Sequence, residues 1–266
     1  MTEKQYDRGV QLVVRDGIAT ITIHRPPVNI LNKQVLEELS DCLRELEAMP
    51  GLHCVILTGT GKSFIAGGDI QDFQDISIPD FKALATLAND TFTHVERFPV
   101  PVIAAINGYA FGGGLELALA CDIRIAAESA LLSLPEAGIG MIPSYGGTAR
   151  LAKLISPGYA KYLMFSGRRI TAQKACAIGL VQEVTEDQEL MAVAETLARD
   201  IASKSPVAIE HIKYLVNEMV GASMEESLSL EAAYATKTVT GNEFREGIAA
   251  FLEKRPASFG EITRHR

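Results

Sequence analysis

Apolar and polar residues alternate from Val10 to His24, with Asp16-Gly17 in the middle of the run, and this period of two predicts a pair of short strands joined by a tight hairpin turn. His24-Arg25-Pro26-Pro27 ends the second strand. After Asn32 the period changes. Val35, Leu36, Leu39, Leu43 and Leu46 recur at helical spacing as far as Pro50-Gly51, which predicts an amphipathic helix with Asn32 as its cap. Residues 53–58 return to a strand pattern. A glycine-rich turn over 59–68 then leads to a short helix and a longer one over 81–97, which carries Leu84, Leu87 and Phe92 and stops before Pro99 and Pro101. The wholly apolar run 102–106 predicts a buried strand, 112–121 a helix, and 123–126 another strand.

From about Tyr145 the pattern is helical almost throughout. A short helix is expected over 171–179, and long ones over 187–203, 206–220, 223–240 and 242–254. Strand and helix alternate in the first part and helices alone fill the last. This arrangement predicts an α/β core over residues 1–190 and a helical region over 191–266 that packs on the core or on a neighbouring subunit. No linker, low-complexity tract or strict repeat interrupts the chain.

Composition narrows the function classes. The 266 residues suit one large domain or a domain with an appendage, and 47% apolar with 22% charged residues excludes disorder and fibrous repeats. With 25 Lys and Arg against 33 Asp and Glu the formal charge is −8, so no broad positive field is expected to draw nucleic acid. Cys42, Cys54, Cys121 and Cys176 form no CxxC pair, and three lie in apolar runs where buried thiols are common, so the four read as reduced core residues. No apolar stretch is long enough to span a membrane and the first fifteen residues mix charges, so a cytoplasmic or organelle-matrix location is expected. His24, His53, His94, His211 and His265 show neither metal-ligand spacing nor a Ser or Cys companion, and they read as structural or surface residues with no metal.

Two glycine turns carry the candidate chemistry. In NGYAFGGGLE, residues 107–116, three successive glycines separate a buried strand from an apolar helix. Backbone N–H groups at a helix start have no intrahelical partner and sit at the positive end of its dipole, so they can receive a developing oxyanion. A tight strand-to-helix turn is the simpler use of the same glycines. A second turn, SFIAGGDI over 63–70, can converge with the first; within it Asp69 reads as a helix-start residue and not as a catalytic acid. Glu116 lies in a first helical turn and Glu136 follows Pro135, positions that capping alone can explain. Beside two glycine turns, however, two carboxyls can hold one water, one acting as base while the other supplies a proton.

AGGDI, NGYAFGGGLE, LPE and IPSYGGTARL occur in this order and at these separations, and on them the chain resembles the enoyl-CoA hydratase/isomerase, or crotonase, family. The resemblance covers about residues 10–259, is strongest over 63–151, and has a weaker tail in GIAAFLEKR, residues 247–255. It implies a crotonase-like spiral of ββα units with a C-terminal helical oligomerisation region that builds a homotrimer or a dimer of trimers. It also implies that the N–H groups of Gly68 and Gly113 form an oxyanion hole and that Glu116 and Glu136 are catalytic. Related isomerases generally manage with one acidic residue here, so retention of both implies an enoyl-CoA hydratase. Glu116 would polarise water toward the β-carbon of a trans-2-enoyl-CoA, and Glu136 would protonate the α-carbon to give a 3-hydroxyacyl-CoA in fatty acid metabolism. No cofactor is needed beyond the coenzyme A of the substrate.

The alternatives are a Δ3,Δ2-enoyl-CoA isomerase or another acyl-CoA enzyme of the family; an RNA-binding member needs a basic surface that this composition lacks. Val28, Ala66 and Lys254 match positions that border coenzyme A. Three departures from the family pattern stand out. RPPVNIL, residues 25–31, is one residue shorter than the commonest version, AGGDI has glycine where alanine is common, and Ser144-Tyr145 replaces Gly with a small neighbour. Tyr145 either narrows the acyl pocket or packs, and packing is the favoured reading.

Overall fold

In the computed structural model, which describes residues 2–259, the N-terminal alternation forms the expected hairpin. Strands β2 (Val10–Arg15) and β3 (Ile18–Ile23) pair antiparallel with Val10 opposite Ile23. Asp16 and Gly17 both adopt positive φ, 52° and 73°, the two-residue turn whose twist matches the flanking strands. Val10, Leu12, Val14, Ala19, Ile21 and Ile23 point into the core. An edge strand that the pattern did not announce, β1 (Thr2–Gln5), pairs with β2 and is exposed along its length. Helix α1 (Lys33–Glu47) begins where Asn32 accepts a hydrogen bond from the N–H of Val35 at 3.0 Å, and it buries the apolar stripe from Val35 to Leu46.

Strands β4 (Cys54–Gly59), β6 (Val102–Ile106), β8 (Ile123–Ala127) and β11 (Glu183–Thr185) continue the sheet in parallel, in the order β1-β2-β3-β4-β6-β8-β11. Their central members read as unbroken apolar runs because both faces are covered. Val55, Leu57, Val102 and Ala104 face the main core with α1, whereas Cys54, Ile56, Ile103, Ala105 and Ile125 meet Leu190, Ala194 and Ala198 of α7 (Leu190–Ala202).

A second sheet was not legible in the pattern. Strands β5 (Ser63–Ile65), β7 (Tyr109–Phe111), β9 (Leu131–Ser133) and β10 (Ile170–Thr171) join in the order β10-β9-β7-β5. The segments read as glycine turns therefore begin as strands of three residues, too short to display a period. Three long strands, β4, β6 and β8, are each followed by one of these short ones and then by a helix. After β4 and β5 comes α2 (Ile78–Glu96), after β6 and β7 comes α3 (Gly113–Ala120), and after β8 and β9 comes α4 (Gly147–Leu154). This repetition is the ββα spiral. Capping by Ser77 starts α2 three residues before the predicted boundary.

Helices α5 (Pro157–Ser166) and α6 (Ala172–Ala177) complete the core, and α8 (Pro206–Met219), α9 (Met224–Val239) and α10 (Asn242–Glu253) follow α7. Lys213 tethers α8 by donating to the carbonyl of Val100 at 3.1 Å and to Asp122 at 2.7 Å. Among the described residues no helix is long and apolar enough to cross a membrane. Cys42, Cys54 and Cys121 are buried, as expected, but Cys176 is exposed and not a core residue, because α6 buries Ala172 and Ala175 instead. His24, His94 and His211 contact Thr60, Glu47 and Thr238, and His265 lies outside the described residues.

Helix α3 is buried at all eight positions, and it reaches β5 only because residue 114 has no side chain: a Cβ there would stand 2.2 Å from the carbonyl oxygen of Ile65. Gly114→Ala should push α3 off the second sheet and lower stability by about 1–3 kcal/mol, the usual range for overpacking. Thermal denaturation would read this as a lower Tm, and an unchanged Tm would show that the helix can move freely.

Candidate active site

The two glycine turns meet through Leu31. The backbone of Leu31 forms a parallel bridge to Gly68, with its N–H donating to the Gly67 carbonyl at 2.9 Å and its carbonyl accepting from Asp69 N–H at 3.2 Å. Earlier in both segments, Ala66 N–H donates to the Val28 carbonyl at 3.2 Å. In such a bridge the neighbours of the bridged residue make the hydrogen bonds, so the N–H of Gly68 itself points away from Leu31. Among the described residues it has no acceptor. Asp69 accepts from Gln71 N–H at 3.3 Å and starts the short helical turn Ile70–Phe73, as read from the sequence.

The second turn is set by Gly112, whose φ of 50° and ψ of −124° suit a residue without Cβ. Gly112 N–H donates to the Ser133 carbonyl at 2.9 Å, and its carbonyl accepts from Glu116 N–H at 2.9 Å. Gly113 opens α3, and its N–H likewise has no acceptor among the described residues, as befits the first residue of a helix. A Cβ on Gly113 would lie 3.2 Å from Leu31 Cδ2, and one on Gly112 would lie 3.9 Å from Gly67 Cα. Both turns thus close around Leu31 with two free donors.

Glu116 is 2% exposed. Its Oε1 accepts N–H donors from Tyr145 and Gly147, both at 2.8 Å, at the start of α4. Gly147 must be glycine for this contact, since a Cβ would stand 2.8 Å from Glu116 Cγ and Oε1. No protein donor serves Oε2 among the described residues. Burial raises the Glu116 carboxyl to about 7, and the charge of Glu136 adds to the rise. The two N–H donors and Arg150 oppose it.

Glu136 begins the helical turn Glu136–Ile139 on the other side of Gly112, where a Cβ on Gly112 would be 2.9 Å from its Oε1. Its Oε2 is buried without a hydrogen-bond partner, and burial raises this carboxyl as well. The structure therefore brings together Gly68, Gly113, Glu116 and Glu136. Each carboxyl keeps one oxygen free of protein donors among the described residues, and both favour protonation more than ordinary surface carboxylates do.

Several supporting residues escaped the sequence reading. Arg150 donates to the Tyr145 carbonyl at 3.2 Å and to Glu96 at 2.9 and 3.1 Å, and Asn89 donates to the Ser144 carbonyl at 2.9 Å. Together they hold the loop that supplies the donors to Glu116. The only sequence signal was the glycine pair of IPSYGGTARL. The shortened segment 25–31 is braced by Asn29, whose amide donates to the carbonyls of Thr60 and Ser63 at 2.8 and 2.7 Å while its Oδ1 accepts from Arg25 N–H. Val28 and Ala66 are paired beside the first turn. Lys254 is exposed at the end of α10, a helix that packs chiefly on α9, and has no ion pair among the described residues.

The profile of the family described as "Enoyl-CoA hydratase/isomerase" matches residues 14–262. The short-chain-enoyl-CoA hydratase of Clostridium acetobutylicum is 39% identical over 90% of this chain and 92% of its own. The crotonyl-CoA hydratase of Syntrophomonas wolfei is also 39% identical, over 92% of this chain and 95% of its own. The crystal structure of an enoyl-CoA hydratase from Bacillus anthracis superposes with a TM-score of 0.92 at 37% identity, covering 95% of this chain and 99% of that one.

The raised Glu116 carboxyl makes stability depend on pH. Its folded value of about 7 exceeds the ordinary glutamate value of 4.5, so the folded state binds the proton more tightly; the contribution is full below about 4 and is lost as pH rises through 7. Its size is roughly 3 kcal/mol at 1.36 kcal/mol per unit. Denaturation between pH 5 and 8 should show a steeper loss of stability for the native chain than for Glu116→Gln. Parallel curves would mean that Glu116 titrates as an ordinary carboxylate.

Proposed function

The chain belongs to the enoyl-CoA hydratase/isomerase family, and from that premise we propose that it is an enoyl-CoA hydratase, adding water across the double bond of a trans-2-enoyl-CoA to give a 3-hydroxyacyl-CoA. The observation that carries this reading is the pair of half-free carboxyls, Glu116 and Glu136, beside two main-chain donors that have no other partner among the described residues. The thioester oxygen takes the N–H groups of Gly68 and Gly113. As the β-carbon accepts water, the π pair moves toward that oxygen, and two preorganised donors stabilise the enolate-like charge; one such donor is typically worth about 2.7–4 kcal/mol of barrier.

Glu116 receives the water proton on Oε2, because Oε1 is occupied by Tyr145 and Gly147. A value near 7 suits a group that must take up a proton at neutral pH. Glu136, whose carboxyl burial shifts toward the protonated form, gives a proton to the α-carbon. The carbon–oxygen and carbon–hydrogen bonds form on the face that both carboxyls share, and proton exchange between the two restores the starting state. No metal or redox cofactor takes part. Val28 and Ala66 border the coenzyme A portion.

The assembly is a trimer or a pair of trimers, a reading supported by exposed apolar side chains on α8 and α10, among them Ile212, Val216, Phe244, Ile248 and Phe251. In that assembly Lys254 meets a coenzyme A phosphate, its own or a neighbour's. The enzyme works in the cytoplasm or an organelle matrix, where its unpaired thiols stay reduced.

Crotonyl-CoA should lose its conjugated enoyl-thioester absorbance in the presence of the protein, and Glu116→Gln and Glu136→Gln should each lower kcat at least ~10²-fold. Full turnover in both variants overturns the assignment. Light scattering should give three or six times the 28.7 kDa chain mass, and a monomer at micromolar concentration contradicts the assembly.

A further inference from the structure

Tyr145 is held from several directions at the edge of the site. Its N–H is bonded to Glu116, its carbonyl accepts from Arg150, and the preceding carbonyl accepts from Asn89. The ring meets Phe92 of α2 edge-on, with centroids 6.2 Å apart and planes at 84°. On its other side, Cδ2 and Cε2 stand 3.3 and 3.5 Å from the point where a Cβ on Gly113 would project. The ring is thus wedged between α2 and an oxyanion donor, with its backbone fixed, and has little room to swing aside. The side chain packs, as the sequence reading favoured, but packing does not account for its outer end.

The residue is only 6% exposed, yet its hydroxyl has no hydrogen-bond partner among the described residues and is not a sealed buried atom. Two acidic groups, Glu116 and Asp72, lie close enough for their charges to act on the phenol, and they place it on the site side of the wedge. A thioester seated on Gly68 and Gly113, with its double bond between the two glutamates, must send its remaining carbons away from the Val28–Ala66 side. Tyr145, which is bonded to Glu116, stands against the Gly113 position and feels the charge of Asp72, borders that path.

Resting on the hydratase reading above, we infer that Tyr145 is the end wall of the acyl pocket and restricts the enzyme to short acyl groups. Two effects act together. The fixed ring blocks the path of a longer chain, and a chain that covered the hydroxyl would strip it of water without offering a partner.

The test uses saturated thioesters, butyryl-, hexanoyl-, octanoyl- and decanoyl-CoA, whose binding can be measured by calorimetry without turnover. In the native chain affinity should stop rising beyond hexanoyl-CoA. In Tyr145→Ala, and in Tyr145→Leu, which keeps an apolar stem against Phe92, it should go on rising by about fourfold for each further buried methylene. The decanoyl-to-butyryl affinity ratio should then exceed the native one at least tenfold. Tyr145→Phe should keep the break, because the ring remains. Native affinity that climbs steadily to decanoyl-CoA overturns the inference, as does an unchanged break in a Leu variant that melts cooperatively. Failure of the reaction reading is separate: a native chain that shows the break but leaves crotonyl-CoA unhydrated keeps the wall and loses the hydratase.

Discussion

The close approach of the two strand-to-helix turns governs everything at the site. Helix α3 can lie on β5 only because Gly114 leaves the Ile65 carbonyl unobstructed, and the turn before it can face Gly67 only because Gly112 has no Cβ. Leu31 joins the two, by its backbone on one side and its side chain on the other. Free N–H groups at Gly68 and Gly113 follow from that geometry. A helix start and a bridge edge each leave a donor without an acceptor among the described residues, and the spiral brings both turns against Leu31.

The carboxyls depend on the same construction. Glu116 is carried inward by a fully buried helix, and a carboxylate in that position would be untenable without the two N–H groups from the start of α4. Those groups stay in place because Arg150 and Asn89 hold the loop from behind. Burial and donors pull the proton affinity of Glu116 in opposite directions, and burial prevails, leaving a group balanced near neutrality. Glu136 has no donor from another residue among the described ones, and burial outweighs the hydrogen bond from its own N–H. Two carboxyls twenty positions apart thus differ in character because one is braced and the other is not.

The long elements were plain in the sequence because their periods run for several residues. The hairpin announced itself through Asp16-Gly17, α1 through its stripe and Asn32, and the central strands through runs apolar on both faces. The second sheet was not visible, since strands of two or three residues such as β5 and β9 carry no period and gain their definition from neighbours far along the chain. At the site, the glycines and glutamates stood out by type and spacing. The braces did not. Arg150 and Asn89 look like ordinary polar residues on helix surfaces, and their partners lie more than fifty residues away in the case of Glu96 and Ser144. Tyr145 was noticed as a departure from pattern, but its orientation depends on Phe92 and Gly113, which only folding brings beside it.

Both proposed donors belong to the main chain. A base change in the gene alters side chains and leaves an N–H where it was, so short of proline no single substitution deletes either donor outright. Position 68 even has room to vary, since a methyl group there would make ordinary contact with the Phe73 ring at 3.5 Å. The proposed donor atoms therefore survive side-chain exchange, although their placement still needs glycine at 112 and 114, while the side chains at 116, 136 and 145 are open to change. On such a scaffold new chemistries can be tried by exchanging acids and walls without rebuilding the anion site each time.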